Sequence, residues 1–339
     1  MGAAAAGFLR TRALVGFKLR PCLVACWSAD CYHCASAGGA AVKASIQHAI
    51  LAAIIALGMA LAWANRFVQD DAFISFRYAY NLVHGHGLVF NPGERVEGYT
   101  NFLWTIIIAA LMRLGVDPIT STYLLGILVL FPTSLLLTWQ LARLTFHDCR
   151  LALLAVFLVA TNYSFFSYAT GGLETPLQAT LFLAIFACLC TCLAQGQWTV
   201  ARLVGLSALC SLAVLTRPDS ALLAAIAMAV AFAYCLRSLN PWLAAASLLL
   251  PPAAIVGPWL AWKVRFYGDI FPNTFYVKVS VLMGLKWGLA YVLCFITSYL
   301  LLPFAIVAIA HWRQIASARP PIIPLLAAFC VIWMGYLVL

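Results

Sequence analysis

Apolar residues run along this chain in blocks about as long as a bilayer is thick, and short polar stretches separate them. About 20 consecutive apolar residues cross the hydrocarbon as a helix. On that measure the blocks fall near residues 46–64, 119–141, 151–168, 175–194, 199–216, 220–236, 242–262, 286–310 and 320–339. One more block, 101–114, is apolar for only about 14 residues, which suits an interfacial or re-entrant helix better than a crossing. The expected fold class is an all-α, multi-pass transmembrane bundle of about nine spans, with juxtamembrane helices in its first outer loop.

Composition supports that pattern. With 65% hydrophobic and 9% charged residues, and a mean hydropathy of +0.99, the chain has too few charges to cover a soluble surface. Its net charge of +10 does not point to nucleic acid, because basic and aromatic residues are not interleaved as a nucleic-acid groove requires. If 101–114 does not cross, the N-terminus shares a side with 143–150, 195–202, Arg237 and 311–319. That side carries eleven Lys and Arg and only Asp30 and Asp148, while the other side has nine basic residues and eight acids. Loops rich in Lys and Arg stay in the cytoplasm, so most of the acids are expected outside. The twelve cysteines, Cys188, Cys190 and Cys192 among them, read as small buried hydrophobes rather than as a disulfide framework.

Residues 1–44 are expected to form a disordered basic cytoplasmic tail, followed by a transmembrane domain over 45–339 whose outer loop is 65–118. Cys22, Cys26, Cys31 and Cys34 with His33 are spaced too compactly for paired zinc knuckles. No clean apolar core follows the first basic residues, which argues against a cleavable signal peptide.

The longest polar stretch, 69–104, holds Asp70, Asp71, Glu94 and Glu97. Carboxylates next to apolar helices at a membrane surface suggest function. From Ala72 to His84 the apolar positions 73, 76, 80 and 83 predict a helix laying Phe73, Phe76, Tyr80 and Val83 on the membrane or the bundle, with Arg77 and Asn81 turned elsewhere. Asp70 and Asp71 then fall at its start, where the dipole favours a carboxylate; the plain alternative is that one of them is an N-cap. Asn91-Pro92-Gly93-Glu94 has the residue order of a type II turn. His84 and His86 have the spacing of a metal pair but sit in a glycine-rich turn.

Three more polar clusters are expected on the same side. One is Thr170-Gly171-Gly172-Leu173-Glu174-Thr175-Pro176, with Pro176 at the start of a helix. Another is Thr216-Arg217-Pro218-Asp219, where Arg217 needs an anionic partner: Asp219, Glu174 or a phosphate. The third runs from Lys263 to Lys278 and includes Arg265, Asp269, Asn273 and Tyr276. Lys263 and Lys286 read as snorkelling residues.

These residues carry a resemblance. Asp70-Asp71-Ala72-Phe73-Ile74-Ser75-Phe76-Arg77-Tyr78, then Gly87-Leu88-Val89-Phe90-Asn91 and Glu97-Gly98-Tyr99-Thr100-Asn101, resemble the first outer loop of the polyprenyl-phosphate-sugar-dependent glycosyltransferases of the GT-C fold. The likeness is greatest to the bacterial terminal arabinofuranosyltransferase-like family. Thr170-Gly171 with Leu173 to Pro176, Thr216 to Asp219, and Tyr267-Gly268 with Pro272-Asn273-Thr274 extend it over about residues 46–285. Residues 1–44 have no counterpart. Enzymes of this kind continue into more helices and a soluble outer domain, so the chain is expected to be a fragment or a shortened member.

The resemblance implies inverting transfer of a sugar, arabinofuranose or a hexose, from a polyprenyl-phosphate donor to a cell-envelope glycan or lipid. It places the site on the outer or periplasmic side of the cytoplasmic (inner) membrane. Asp70 or Asp71 is the expected base, the other acid orienting the acceptor or a metal. Arg217, Arg265 and Lys278 are phosphate candidates, and Arg77, Glu97, Tyr99, Asn101, Glu174 and Asn273 are candidates for the sugar or acceptor. A divalent cation, Mg²⁺ or Mn²⁺, is a candidate cofactor bridging an acid and the phosphate. Competing readings are a transporter or flippase of a lipid-linked sugar, which needs ionisable residues at mid-depth, and a non-catalytic scaffold.

Overall fold

The computed structural model describes residues 37–146, 148–278, 281–299, 301–311, 313 and 322–338. The possible zinc ligands of the N-terminal segment lie outside them. The chain divides into two compact units, 1–46 and 47–339; in the first, the described residues 37–46 are helical. Everything below concerns the second.

Among the described residues all regular structure is helical. In chain order the helices are α1 (Ala37–Ala64), α2 (Ala72–Val83), α3 (Phe102–Arg113), α4 (Pro118–Tyr123), α5 (Phe131–Phe146), α6 (Cys149–Ala160), α7 (Tyr163–Tyr168) and α8 (Thr175–Gln195). They continue with α9 (Val200–Thr216), α10 (Ser220–Cys235), α11 (Pro241–Tyr267), α12 (Asn273–Lys278), α13 (Val281–Ser298), α14 (Leu301–Ala310) and α15 (Ile322–Val338). Their ends are marked in the sequence. The side chains of Asp117, Asp148, Thr199 and Asn240 accept hydrogen bonds from the first-turn amides of α4, α6, α9 and α11. Gly196 and Gly268 close α8 and α11 in the left-handed conformation.

Among the described residues four stretches are long and apolar enough to cross a bilayer: Ala44–Ala64, Pro118–Phe146, Thr175–Gln195 and Pro241–Tyr267. Leu285–Ser298 and Leu301–Val307 make a fifth only if a pair bent by 82° counts as one span. The other expected crossings coincide with shorter apolar helices, Cys149–Ala160, Val200–Thr216, Ser220–Cys235 and Ile322–Tyr336. The block read as 151–168 is broken where the Asn162 side chain accepts from the Phe165 amide and starts α7. The block at 101–114 forms the 12-residue α3, about 18 Å long at 1.5 Å per residue against a core of about 30 Å.

The block read as 119–141 is not uniform α-helix: Leu124–Leu130 is π-helical between α4 and α5. Gly126 explains the close packing there, since a Cβ on it would stand 1.8 Å from the Ala169 carbonyl oxygen. Large apolar side chains such as Leu128, Trp242, Leu249 and Ile306 face outward, an arrangement favourable in hydrocarbon and costly in water. The chain is a membrane protein.

Inside, small residues let the helices approach. Ser207, Ala213, Ala227, Ala231 and Ala244 are fully buried in the α8–α11 bundle beside Ile185, Leu203 and Leu206. A second apolar cluster joins α1, α5 and α6 through Leu51, Phe131, Leu135 and Val156, and a third packs α2 on α3 through Phe76, Trp104 and Ile108. Cys190, Cys192, Cys210 and Cys235 are buried and free, as small hydrophobes should be.

Candidate functional site

The polar clusters separated along the chain meet in space, each through a specific bond. The Gln69 amide donates to the Gly171 carbonyl at 3.0 Å, and the Phe67 amide to the Thr170 hydroxyl at 3.3 Å. Gly172 has φ +83°, and a Cβ there would lie 2.6 Å from the Cβ of Ala72. Only glycine lets this turn press against the head of α2. The Trp104 indole donates to the Gly172 carbonyl at 2.9 Å and locks the turn onto α3.

This turn carries Glu174 into a buried hydrogen-bond chain. The Asn101 amide donates to Glu174 Oε2 at 2.7 Å and to the Ser75 hydroxyl at 2.9 Å. Arg217 donates to Glu174 Oε1 at 2.9 Å and to both oxygens of Asp219. Burial works against the Arg217 charge, but the bonds to Asp219 and the nearby Glu174 outweigh it and hold the guanidinium above its usual range. Both proteinaceous partners named for Arg217 are therefore present, and together they engage its guanidinium fork. Gln178 extends the network to Asp219 and Ser220.

A second buried pair joins the outer loop to α11. Lys263 Nζ lies 2.9 Å from Glu97 Oε2, with Lys263 only 2% and Glu97 5% exposed. The snorkelling reading of Lys263 is thus corrected: the ammonium turns inward to Glu97 and over the Trp259 ring. Burial pushes the Glu97 carboxyl up, and Lys263 pulls it partly back down. The Asn273 amide donates to the Glu97 carbonyl at 3.0 Å, and Tyr267 donates to the Leu88 carbonyl. Tyr99 is buried against Tyr78, with ring centroids 4.7 Å apart; burial raises its hydroxyl well above the usual range, so it stays neutral.

In α2, Asn81 is buried and donates to the carbonyls of Val89 and Phe90, both at 2.8 Å, so it pins the following loop. Phe73 and Tyr80 are exposed while Phe76 is buried. Arg77 is exposed and donates to the Phe90 carbonyl. Gly93 has φ +93° and the Glu94 amide donates to Asn91, as the predicted turn requires. His84 bonds and stacks with Tyr80.

Asp70 and Asp71 are exposed at the head of α2. The amides of Ala72, Phe73 and Ile74 are already taken by the carbonyls of Gln69, Asp70 and Asp71, and Asp71 makes no side-chain capping bond. Asp70 accepts from the Asp71 amide at 2.9 Å. Every other described acid is engaged through its side chain: Glu94 by Asn91, Glu97 by Lys263, Asp117 and Asp148 as caps, Glu174 and Asp219 by Arg217, and Asp269 by Tyr276. Among the described residues the Asp71 carboxylate alone has no partner.

Of the expected site residues, then, Asn101, Glu174 and Arg217 form one network, and Glu97, Tyr99 and Asn273 belong to the α11 contact. Arg265 is exposed and is not brought together with either group. The side chain of Lys278 lies outside the described residues. Sequence reasoning missed Lys263, Ser75 and Gln178. A lysine in the apolar helix α11 was the signal for Lys263. Among the described residues no three His, Cys, Asp or Glu side chains group as a metal site.

The chain is 26% identical over 311 residues to the terminal beta-(1->2)-arabinofuranosyltransferase of Mycobacterium tuberculosis, an alignment covering 84% of this chain and 47% of the relative. It is a homologue of these arabinofuranosyltransferases. Their Corynebacterium glutamicum member is 35% identical over 122 residues, 34% of this chain and 17% of that protein. The chain spans about half the length of the first of these relatives. No protein-family model and no solved structure matches it.

Proposed function

We propose that this chain is a membrane glycosyltransferase of the GT-C type with about nine spans. It moves a sugar, for which the relatives favour arabinofuranose, from a polyprenyl-phosphate donor to a cell-envelope glycan or lipid acceptor. The reaction takes place on the outer side of the cytoplasmic membrane. The observation that carries the reading is the unpartnered Asp71 carboxylate, held in the open at a helix head while the acids around it are committed to partners.

In the reaction Asp71 takes the proton of an acceptor hydroxyl as its oxygen bonds the anomeric carbon. The bond from that carbon to the phosphate oxygen breaks on the opposite face, so configuration inverts and polyprenyl phosphate leaves. Asp70, oriented by the Asp71 amide, positions the acceptor. A divalent cation on this pair would supply positive charge to the departing phosphate.

The test is transfer from a panel of radiolabelled polyprenyl-phosphate sugars in membranes holding the wild type, Asp70→Asn or Asp71→Asn. One donor is consumed, and Asp71→Asn loses about 100- to 10,000-fold in rate at normal expression. Wild-type rates in both variants, or no donor consumed, refute the reading.

A further inference from the structure

The first turns of α2 follow directly on Asp71 and offer few polar side chains with which to hold it. Between Ala72 and Phe76 only Ser75 has one. Ser75 is buried and lies about one helical turn beyond Asp71. Its hydroxyl meets the Asn101 side chain, 3.0 Å from Oδ1 and 2.9 Å from Nδ2. Asn101 stands at the N-cap of α3 but makes no side-chain capping bond, although Asn is among the residues best suited to one. It is buried, and its side chain bridges helices instead. Nδ2 donates to Glu174 Oε2 at 2.7 Å as well as to Ser75, and Oδ1 accepts from the Thr105 hydroxyl at 3.1 Å.

The far end of this bridge is fixed. Glu174 Oε1 accepts from Arg217 Nη1 at 2.9 Å, and the other guanidinium nitrogens, Nε and Nη2, donate to Asp219. Both amide protons of Asn101 are committed inside the protein, so it has no donor left for a sugar hydroxyl. Two attachments then bracket Asp71 along the chain: Gln69 to Gly171 before it, and Ser75 to Asn101 after it.

We propose that Asn101 is a positioning residue for Asp71. By tying Ser75 to the Glu174–Arg217 pair, it fixes the head of α2 where the Asp71 carboxylate reaches the acceptor hydroxyl, and it touches neither substrate itself. A shift of about 1 Å in a reacting group costs about 100-fold in rate. Donor binding, made by other groups, does not depend on the bridge. This role rests on the reading of Asp71 as the base.

The experiment combines transfer kinetics, with the radiolabelled donor that the wild type consumes, and amide exchange of residues 69–78 of the full chain in detergent. The variants are Asn101→Ala, Ser75→Ala, Ser75→Thr, Asp71→Asn and Asp71→Asn combined with Asn101→Ala, at matched expression. Asn101→Ala and Ser75→Ala each lower kcat about 10- to 100-fold, leave the donor KM unchanged and raise exchange at the head of α2. Ser75→Thr keeps the hydroxyl and stays near wild type. In the Asp71→Asn background Asn101→Ala adds no further loss, because residues that act as a unit are not additive. A raised KM at constant kcat makes Asn101 a substrate contact and overturns the proposal. A fully additive loss in the double variant, or unchanged exchange in residues 69–78, overturns it too. Should Asn101→Ala fail to fold, Ser75→Ala cuts the same bridge from the other side and decides by the same readouts. Wild-type transfer by Asp71→Asn refutes the base reading and this role with it. An inactive Asp71→Asn beside a fully active Asn101→Ala refutes this role alone.

Discussion

Replacing Lys263 with Met strips a buried carboxylate of its counter-ion. Glu97 is 5% exposed and its carboxylate lies 2.9 Å from Lys263, so the water it lost on folding is not recovered when the ammonium goes. Breaking one partner of a buried pair costs about 3–5 kcal/mol, whereas replacing both with apolar or neutral groups of similar size is close to neutral. Lys263→Met and Glu97→Gln should therefore each be strongly destabilising, and the double variant should recover most of the loss. At about 2 °C per kcal/mol for a chain of this size, each single change lowers Tm by roughly 6–10 °C. Thermal unfolding in detergent of the four proteins forms a double-mutant cycle that isolates the pair. The pair ties residue 97 to α11, so amide exchange should rise in residues 84–101 of both single variants. A Tm within about 1 °C of wild type for Lys263→Met, with unchanged exchange, would show that its ammonium reaches water and refute the burial argument.

The pH dependence of that contact has a definite sign. Glu97 titrates above its ordinary 4.5 in the folded chain, so the native state binds more protons than the unfolded one just above that pH, and stability falls as pH rises through the raised value. Lys263→Met removes the opposing charge and should steepen the fall, as Tm measured against pH will show. Gly172→Ala meets a positive φ and a Cβ contact of 2.6 Å with Ala72, so it should cost more than about 1–3 kcal/mol and lower Tm accordingly. Asn81→Ala removes two bonds to the carbonyls of Val89 and Phe90. A loss of about 1–3 kcal/mol, with earlier proteolytic cleavage between residues 84 and 98, is expected.

Much of this protein was legible in its sequence. Four of the nine expected spans follow from apolar length, and the turn at Asn91–Glu94 from Pro92 and Gly93, because each is a local preference of a few neighbouring residues. The partners of Arg217 were legible too, since a charge near hydrocarbon narrows the choice to the nearest acids. Tertiary structure decided the rest. Lys263 looks the same in sequence whether it snorkels or turns inward; only the approach of Glu97, brought by a loop from far along the chain, makes burial tolerable. Asn81 is polar by type and buried because Val89 and Phe90 return to it. Asp70 and Asp71 read equally as caps or as free carboxylates until the backbone carbonyls of Gln69, Asp70 and Asp71 were found to occupy the α2 amides, which leaves Asp71 unclaimed. A residue's type sets what it can do; the fold decides which of its possible partners is within reach.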